Sequence, residues 1–194
     1  MRVKVLLLIL VLAITFSAQE KSPQERLSKS EGRIKTAAFF KESVVLPMDN
    51  SKIEAYRLTV IPTFYGPVSF RLESSAGRYR LFAKQLKGEG GYEIGEIKRS
   101  RTRSISRREW RKFLRLLKAV DFWQTAYLEP EESPAPDGSV LVCLDGSEWT
   151  LEGVKDGSFH AINRYCPSNP SFTAVGLYLL QLSRLPIKKY DLFH

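Results

Sequence analysis

Apolar residues enter this chain first as one block, then at every second position, then at helical spacing, and the predicted elements follow those periods. From Glu54 onward, β-branched or aromatic residues recur in four runs at 56–63, 67–73, 78–86 and 92–98. Turn-forming stretches separate them: Tyr65-Gly66-Pro67, Ser74-Ser75-Ala76-Gly77 and Gly88-Glu89-Gly90-Gly91. They predict a four-stranded antiparallel meander. The glycine cluster lacks the following Lys-Ser/Thr and the helix that a phosphate cradle needs, so it reads as a hairpin turn.

The period then changes. Trp110, Phe113, Leu114, Leu117 and Val120, with Leu116 beside them, recur at three- and four-residue spacing after the capping box Ser106/Glu109. They predict a helix ending near Asp121, with Phe122 and Trp123 turning back into the core. Arg107, Arg108, Arg111, Lys112, Arg115 and Lys118 fall on the complementary arc and should face solvent. Residues 127–139, with Pro130, Pro134 and Pro136, read as a surface connection.

Alternation returns at 140–144, 147–155 and 158–165, punctuated by Asp145-Gly146 and Asp156-Gly157. Three strands joined by two Asp-Gly turns are predicted. Asn169-Pro170 opens a final helix over 171–184, and Pro186 stops it. The expected fold class is α+β: an antiparallel sheet of about four N-terminal strands, then a three-stranded C-terminal meander, with two packed helices.

If both Asp-Gly pairs are two-residue turns, Trp149 lies between Val142 and Arg164, and Leu151 between Val140 and Ile162. Those residues share the core face, with Leu144 and His160 at its margins, while Glu148, Thr150, Glu152, Asn163 and Tyr165 take the other. Cys143 and Cys166 then sit two strands apart, roughly 9.6 Å or more. A disulfide needs Cα atoms within about 7 Å. The register therefore predicts no bridge unless Cys166 has left its strand and folded back, which Pro167 permits. Glu148 and Glu152 share a face but lie about 13 Å apart along a strand, too far for a glycosidase carboxylate pair.

The first apolar block carries an address. Arg2 and Lys4 precede an apolar run from Val5 to Phe16 broken only by Thr15, and small residues follow it. That is the pattern of a secretory signal peptide, too short to span a bilayer, and no cysteine stands near its end for a lipoprotein anchor. The expected organisation is a signal peptide at 1–18, a polar leader at 19–50 and one α+β domain at 51–194. An exported destination, periplasmic or extracellular, follows, with no transmembrane helix in the mature chain.

Charge narrows the partners. The net charge is +9, and +7 after Arg2 and Lys4 are removed with the signal. Ten cations and one acid, Glu109, lie between Lys98 and Lys118. Arg99, Arg101 and Arg103 alternate, so in an extended segment they line one side and lead into the cationic helix face at Arg107, Arg108, Arg111 and Arg115. This stripe is the candidate anion-binding surface, suited to an envelope component, with no nucleic acid expected of an exported chain. Its plain alternative is a solvated exterior balanced by Glu129, Glu131 and Glu132. His160 and His194 are the two histidines, without metal-ligand spacing or a Gly-x-Ser-x-Gly elbow, and no cofactor or metal is expected. His160 reads as a hairpin residue with a satisfied ring.

The run Asp145-Gly146-Ser147-Glu148-Trp149-Thr150-Leu151-Glu152-Gly153, followed by Gly157-Ser158-Phe159-His160 and Arg164-Tyr165-Cys166-Pro167, resembles a pattern in uncharacterised bacterial exported proteins. Phe159 stands where tyrosine is common in that pattern, and Cys166 where serine is. The likeness covers roughly residues 110–182 and brings no assigned activity. It implies that Trp149, Glu152, His160 and Arg164 belong together, as a candidate ligand site. Three functions are thus expected in order: a non-enzymatic exported domain binding a partner protein or envelope component, a peripheral binder of anionic surfaces, and an enzyme using Glu152, His160 and Arg164.

Overall fold

β1 (Glu54–Pro62) alternates Tyr56, Leu58 and Val60 with Arg57 and Thr59, yet all five are buried. Such a strand needs a neighbour on each edge and a cover on each face. The computed structural model describes residues 37–42, 53–90, 92–128 and 143–194, and in it β1 has both neighbours. β2 (Val68–Ser75) and β3 (Arg78–Leu86) follow as hairpin partners, then β4 (Ile97–Ser104) as the edge. After helix α1 (Arg107–Ala119), β5 (Ser147–Lys155) pairs antiparallel with the free side of β1, and β6 (Ser158–Tyr165) pairs with β5. Helix α2 (Pro170–Ser183) and a short 3-10 turn (Tyr190–Leu192) complete the described chain. The result is one antiparallel sheet in the order β4-β3-β2-β1-β5-β6, which corrects the expected division into four strands and then three.

The turns explain the parts that agree. Asp156 and Gly157 both take positive φ, 49° and 75°, as the two-residue hairpin turn requires, and Lys155 faces Ser158 across it. β5 and β6 therefore span the predicted residues, with Trp149 opposite Arg164 and Leu151 opposite Ile162. On the other side of β5 the expectation fails. Trp149 faces Val60 and Leu151 faces Leu58, so β1 occupies the place given to a strand at 140–144. Residues 140–142 lie outside the described residues. Cys143 to Gly146 are not strand, and Leu144 is exposed rather than at the core margin.

β4 begins later than the predicted run at 92–98. The glycine-rich turn continues to Gly95 (φ +70°), with Lys87 N donating to Glu96 O and Gly88 N to Ile94 O. The arginines of the alternating stretch are consequently inside a strand, as their spacing suggested.

Two helices side by side cover one face of the sheet. α1 is capped as predicted, with Ser106 Oγ accepting from Glu109 N and the Glu109 carboxylate accepting from Ser106 N, and it buries Trp110, Phe113 and Leu117. α2 starts at the predicted Asn169 cap, whose side chain accepts from Ser171 N and Phe172 N. It buries Phe172, Val175, Leu179 and Leu182 and packs beside α1, whose Trp110 and Phe113 reach Tyr56 and Tyr79 of the sheet directly. Gly176 is where it comes closest: a Cβ there would collide with the Trp149 ring. On the opposite face, Ala37 and Phe40 of the segment 37–42 are buried, and Lys84 Nζ donates to Phe40 O at 2.7 Å.

Cys143 and Cys166 form a disulfide, with Cα atoms 6.4 Å apart. The register allowed a bridge only if Cys166 left its strand and folded back, and that condition is met. Cys166 takes φ 47° and so reverses direction just past β6, while its N–H still donates to Ser147 O. Gly146 makes room: any side chain there would run into both sulfurs. Its carbonyl accepts from Thr63 N and Oγ1, which ties this corner to the end of β1.

Two outcomes check this packing. Gly176→Ala improves intrinsic helix propensity by about 1 kcal/mol but overpacks against Trp149, so thermal unfolding should show a net loss of about 1–3 kcal/mol, and a higher melting temperature would contradict the close approach. Cys143→Ser opens a loop closed over 23 residues and should cost about 3 kcal/mol in urea unfolding under non-reducing conditions; no loss would mean that the bridge constrains nothing.

Candidate functional site

Trp149, His160 and Arg164 share the helix side of the sheet. Trp149 is fully buried between Phe172 and Phe193, and its Nε1 donates to Ser147 Oγ at 2.7 Å and to Leu192 O at 3.1 Å. His160 packs edge-on against Phe122 and lies near Trp123, with Nε2 2.9 Å from Thr125 O. A carbonyl can only accept, so this contact selects the tautomer protonated at Nε2. Arg164 donates to Tyr127 O at 2.9 Å, Ala126 O at 3.1 Å and Asn163 O at 2.6 Å. His160 and Arg164 thus hold the chain leaving α1 along the β6 edge, where Asn163 N also donates to Tyr127 O.

Glu152 does not join them. It sits on the opposite face of β5, buried, and its Oε2 accepts from Arg57 Nε at 2.8 Å and Nη2 at 2.5 Å. The proposed foursome is therefore split by the sheet. Alternation along β5 puts residue 152 on the other side from residue 149, and nothing in the fold returns its carboxylate through the backbone.

Around Arg57 the second face carries a buried charge network that the sequence did not announce. Arg57 and Arg71 are direct cross-strand neighbours, a like-charged pair that needs counter-charges. Glu152 answers Arg57, Glu73 pairs with Arg71, and the Glu42 carboxylate lies 3.9 Å from Arg57, 3.7 Å from Arg71 and 3.5 Å from Lys84. Arg71 also stacks over Phe82 at 4.3 Å. Burial pulls the Arg71 guanidinium below its usual range, and Arg57 adds to this while Glu42 opposes it. The one clue in the sequence was Arg57 alternating with the apolar residues of β1. Alternation marks a polar face, but it does not reveal that the face is covered.

The predicted basic stripe divides at the same structural boundary. Arg99, Arg101 and Arg103 face the helix layer, because their partners across β3 are Gln85, Ala83 and Leu81. Arg99 donates to Gln85 Oε1, Arg101 to Arg184 O at 2.5 Å, and Arg103 to Leu182 O at 2.7 Å and to Glu109. α2 has no basic residue in its own last turn, so the edge strand supplies the cations that satisfy its C-terminal carbonyls. Glu109 titrates below the usual carboxylate range: burial opposes this, but hydrogen bonds from Ser106 and the nearby Arg103 outweigh it.

The helix cations behave differently. Arg107, Arg108, Arg111, Arg115 and Lys118 are exposed and make no hydrogen bond or ion pair with any described residue, while Lys112 lies over the Tyr178 ring at 4.6 Å. The acids expected to balance them, Glu129, Glu131 and Glu132, lie outside the described residues. Among the described residues no group of three or more His, Cys, Asp or Glu is placed to hold a metal ion, and no helix is long and apolar enough to cross a membrane. No family model matches the chain, and no curated protein shows significant similarity to it.

The Arg57–Glu152 pair provides the test of this assignment. Glu152→Gln leaves a buried guanidinium without its nearest counter-charge and should cost about 3 kcal/mol or more in urea unfolding, while the Arg57→Met/Glu152→Met double variant should be more stable than Glu152→Gln. A near-neutral single substitution would show that Glu152 is not held as a structural partner.

Proposed function

We propose that this chain is an exported, non-catalytic binding domain that docks on an anionic component of the envelope through the solvent face of α1. The observation that carries the reading is the set of exposed cations Arg107, Arg108, Arg111, Arg115 and Lys118, unpaired among the described residues. Like charges gathered on one helix face repel each other mildly in solution and become favourable when an anionic surface is presented. Arg184 and Lys112 extend the cationic surface across the groove between α1 and α2. The stripe is thereby narrower than its sequence outline, since Arg99, Arg101 and Arg103 are turned toward the helix layer.

An enzyme built on Glu152, His160 and Arg164 draws no support from the geometry, because the carboxylate lies across the sheet from the other two. A partner protein is the second reading. It is favoured by exposed aromatics at the far end of the sheet, where Phe64 stacks on Tyr92 and Tyr190 contacts Tyr65.

Binding to polyphosphate and to phosphatidylglycerol vesicles should weaken about tenfold as ionic strength rises from about 0.05 M to about 0.3 M. Replacing Arg107, Arg108, Arg111 and Arg115 together by Gln should abolish it, with the melting temperature unchanged. Binding that survives this variant overturns the proposal in favour of a different surface.

A further inference from the structure

One cluster of arginines lies beside α1 and outside the predicted stripe. Arg78 and Arg80 are two residues apart on β3 and so project to the same face, the one opposite the helix layer, since Tyr79 between them stacks on Trp110 of α1. Arg80 lies directly across from Ser104, the last residue of β4. Just beyond, the chain turns off the sheet into α1, held by Ile105 N donating to Tyr79 O at 3.0 Å. That turn brings Arg107, the first residue of α1, to the edge of the sheet, where it lines one concavity with them. The three guanidinium-bearing residues, with Gly77, Tyr79, Ser104 and Ile105, line an open concavity of about 790 Å3.

No carboxylate-bearing residue lines this concavity. Arg78, Arg80 and Arg107 are exposed and make no ion pair or hydrogen bond with a described residue, unlike Arg57, Arg71, Arg99, Arg101, Arg103 and Arg164, which all hold one. Glu73 is the cross-strand neighbour of Arg80, but its carboxylate is engaged by Arg71. The rim is open at Gly77, which has no atom near the side of its missing side chain.

We infer that the Arg78–Arg80–Arg107 concavity is a phosphate-binding subsite, the point at which a phosphate-bearing anion is held specifically while the α1 face holds it by general attraction. The inference rests on the proposed anionic docking surface and specifies its ligand. Three guanidiniums from three backbone positions can address three oxygens of a phosphate group, whereas a carboxylate offers two. The Ser104 hydroxyl is a further donor on the lining.

The test compares two pairs of substitutions that remove the same charge. Arg78→Gln/Arg80→Gln alters the subsite, and Lys188→Gln/Lys189→Gln alters exposed cations at the opposite end of the sheet. Affinities for polyphosphate, phosphatidylglycerol vesicles and polyglutamate are measured for both. The arginine pair should lose about tenfold or more on a phosphate ligand, and the lysine pair no more than about threefold, with both pairs losing equally on polyglutamate. A selective loss on vesicles assigns the phosphate to lipid headgroups, and one on polyphosphate assigns it to a soluble polymer. Equal losses for the two pairs on both phosphate ligands overturn the subsite. Failure of the broader docking reading is seen separately, as indifference of all three ligands to joint replacement of Arg108, Arg111 and Arg115 by Gln, which leaves Arg78, Arg80 and Arg107 in place.

Discussion

The pairing of β1 with β5 joins a meander made early in the chain to a hairpin made late, and each face of that junction carries a different kind of interaction. On the helix side Leu58 meets Leu151 and Val60 meets Trp149, under α2 and the C-terminal turn. On the other side Arg57 meets Glu152 in a buried ion pair. The apolar contacts provide the attraction through removal of hydrophobic surface from water. The ion pair has a different consequence. A slip of one residue would bury Arg57 against the aromatic layer and leave Glu152 without its partner, so the charges penalise wrong registers more strongly than they stabilise the right one.

The same logic sorts the basic residues. Where an arginine is buried or faces the helix layer it meets a carboxylate or a run of carbonyls, as Arg57, Arg103 and Arg164 do. Where it faces solvent on α1 or around the β3–β4 corner it meets nothing among the described residues. A protein with an excess of cations can satisfy only those it must desolvate. The remainder form the surface proposed above to receive an anionic partner. The alternating arginines of β4 also occupy an edge strand, where charge discourages further strand pairing.

Much of the local structure was legible. The capping box and three- and four-residue spacing located α1 and its buried face, and Asp156-Gly157 set the β5–β6 register, since a two-residue turn leaves a single alignment of its strands. The candidate site was legible only in part. Trp149, His160 and Arg164 do lie on one face, as alternation required, but each is held by contacts with loops or helices distant in sequence. Glu152 was grouped with them from the resemblance, although the same alternation had already put it on the other side.

Sequence alone determined what depends on neighbours in the chain: strand and helix periods, caps, the hairpin turn and which side chains share a face. Those follow from backbone geometry over a few residues. Tertiary structure decided that β1, not a third C-terminal strand, flanks β5, and that the polar face of β1 is covered. It also decided that Cys166 turns back to meet Cys143, and that only part of the basic stripe remains open to a partner. Each of these depends on which distant segment arrives first at an unpaired edge or an uncompensated charge, and that competition leaves no periodic trace in the chain.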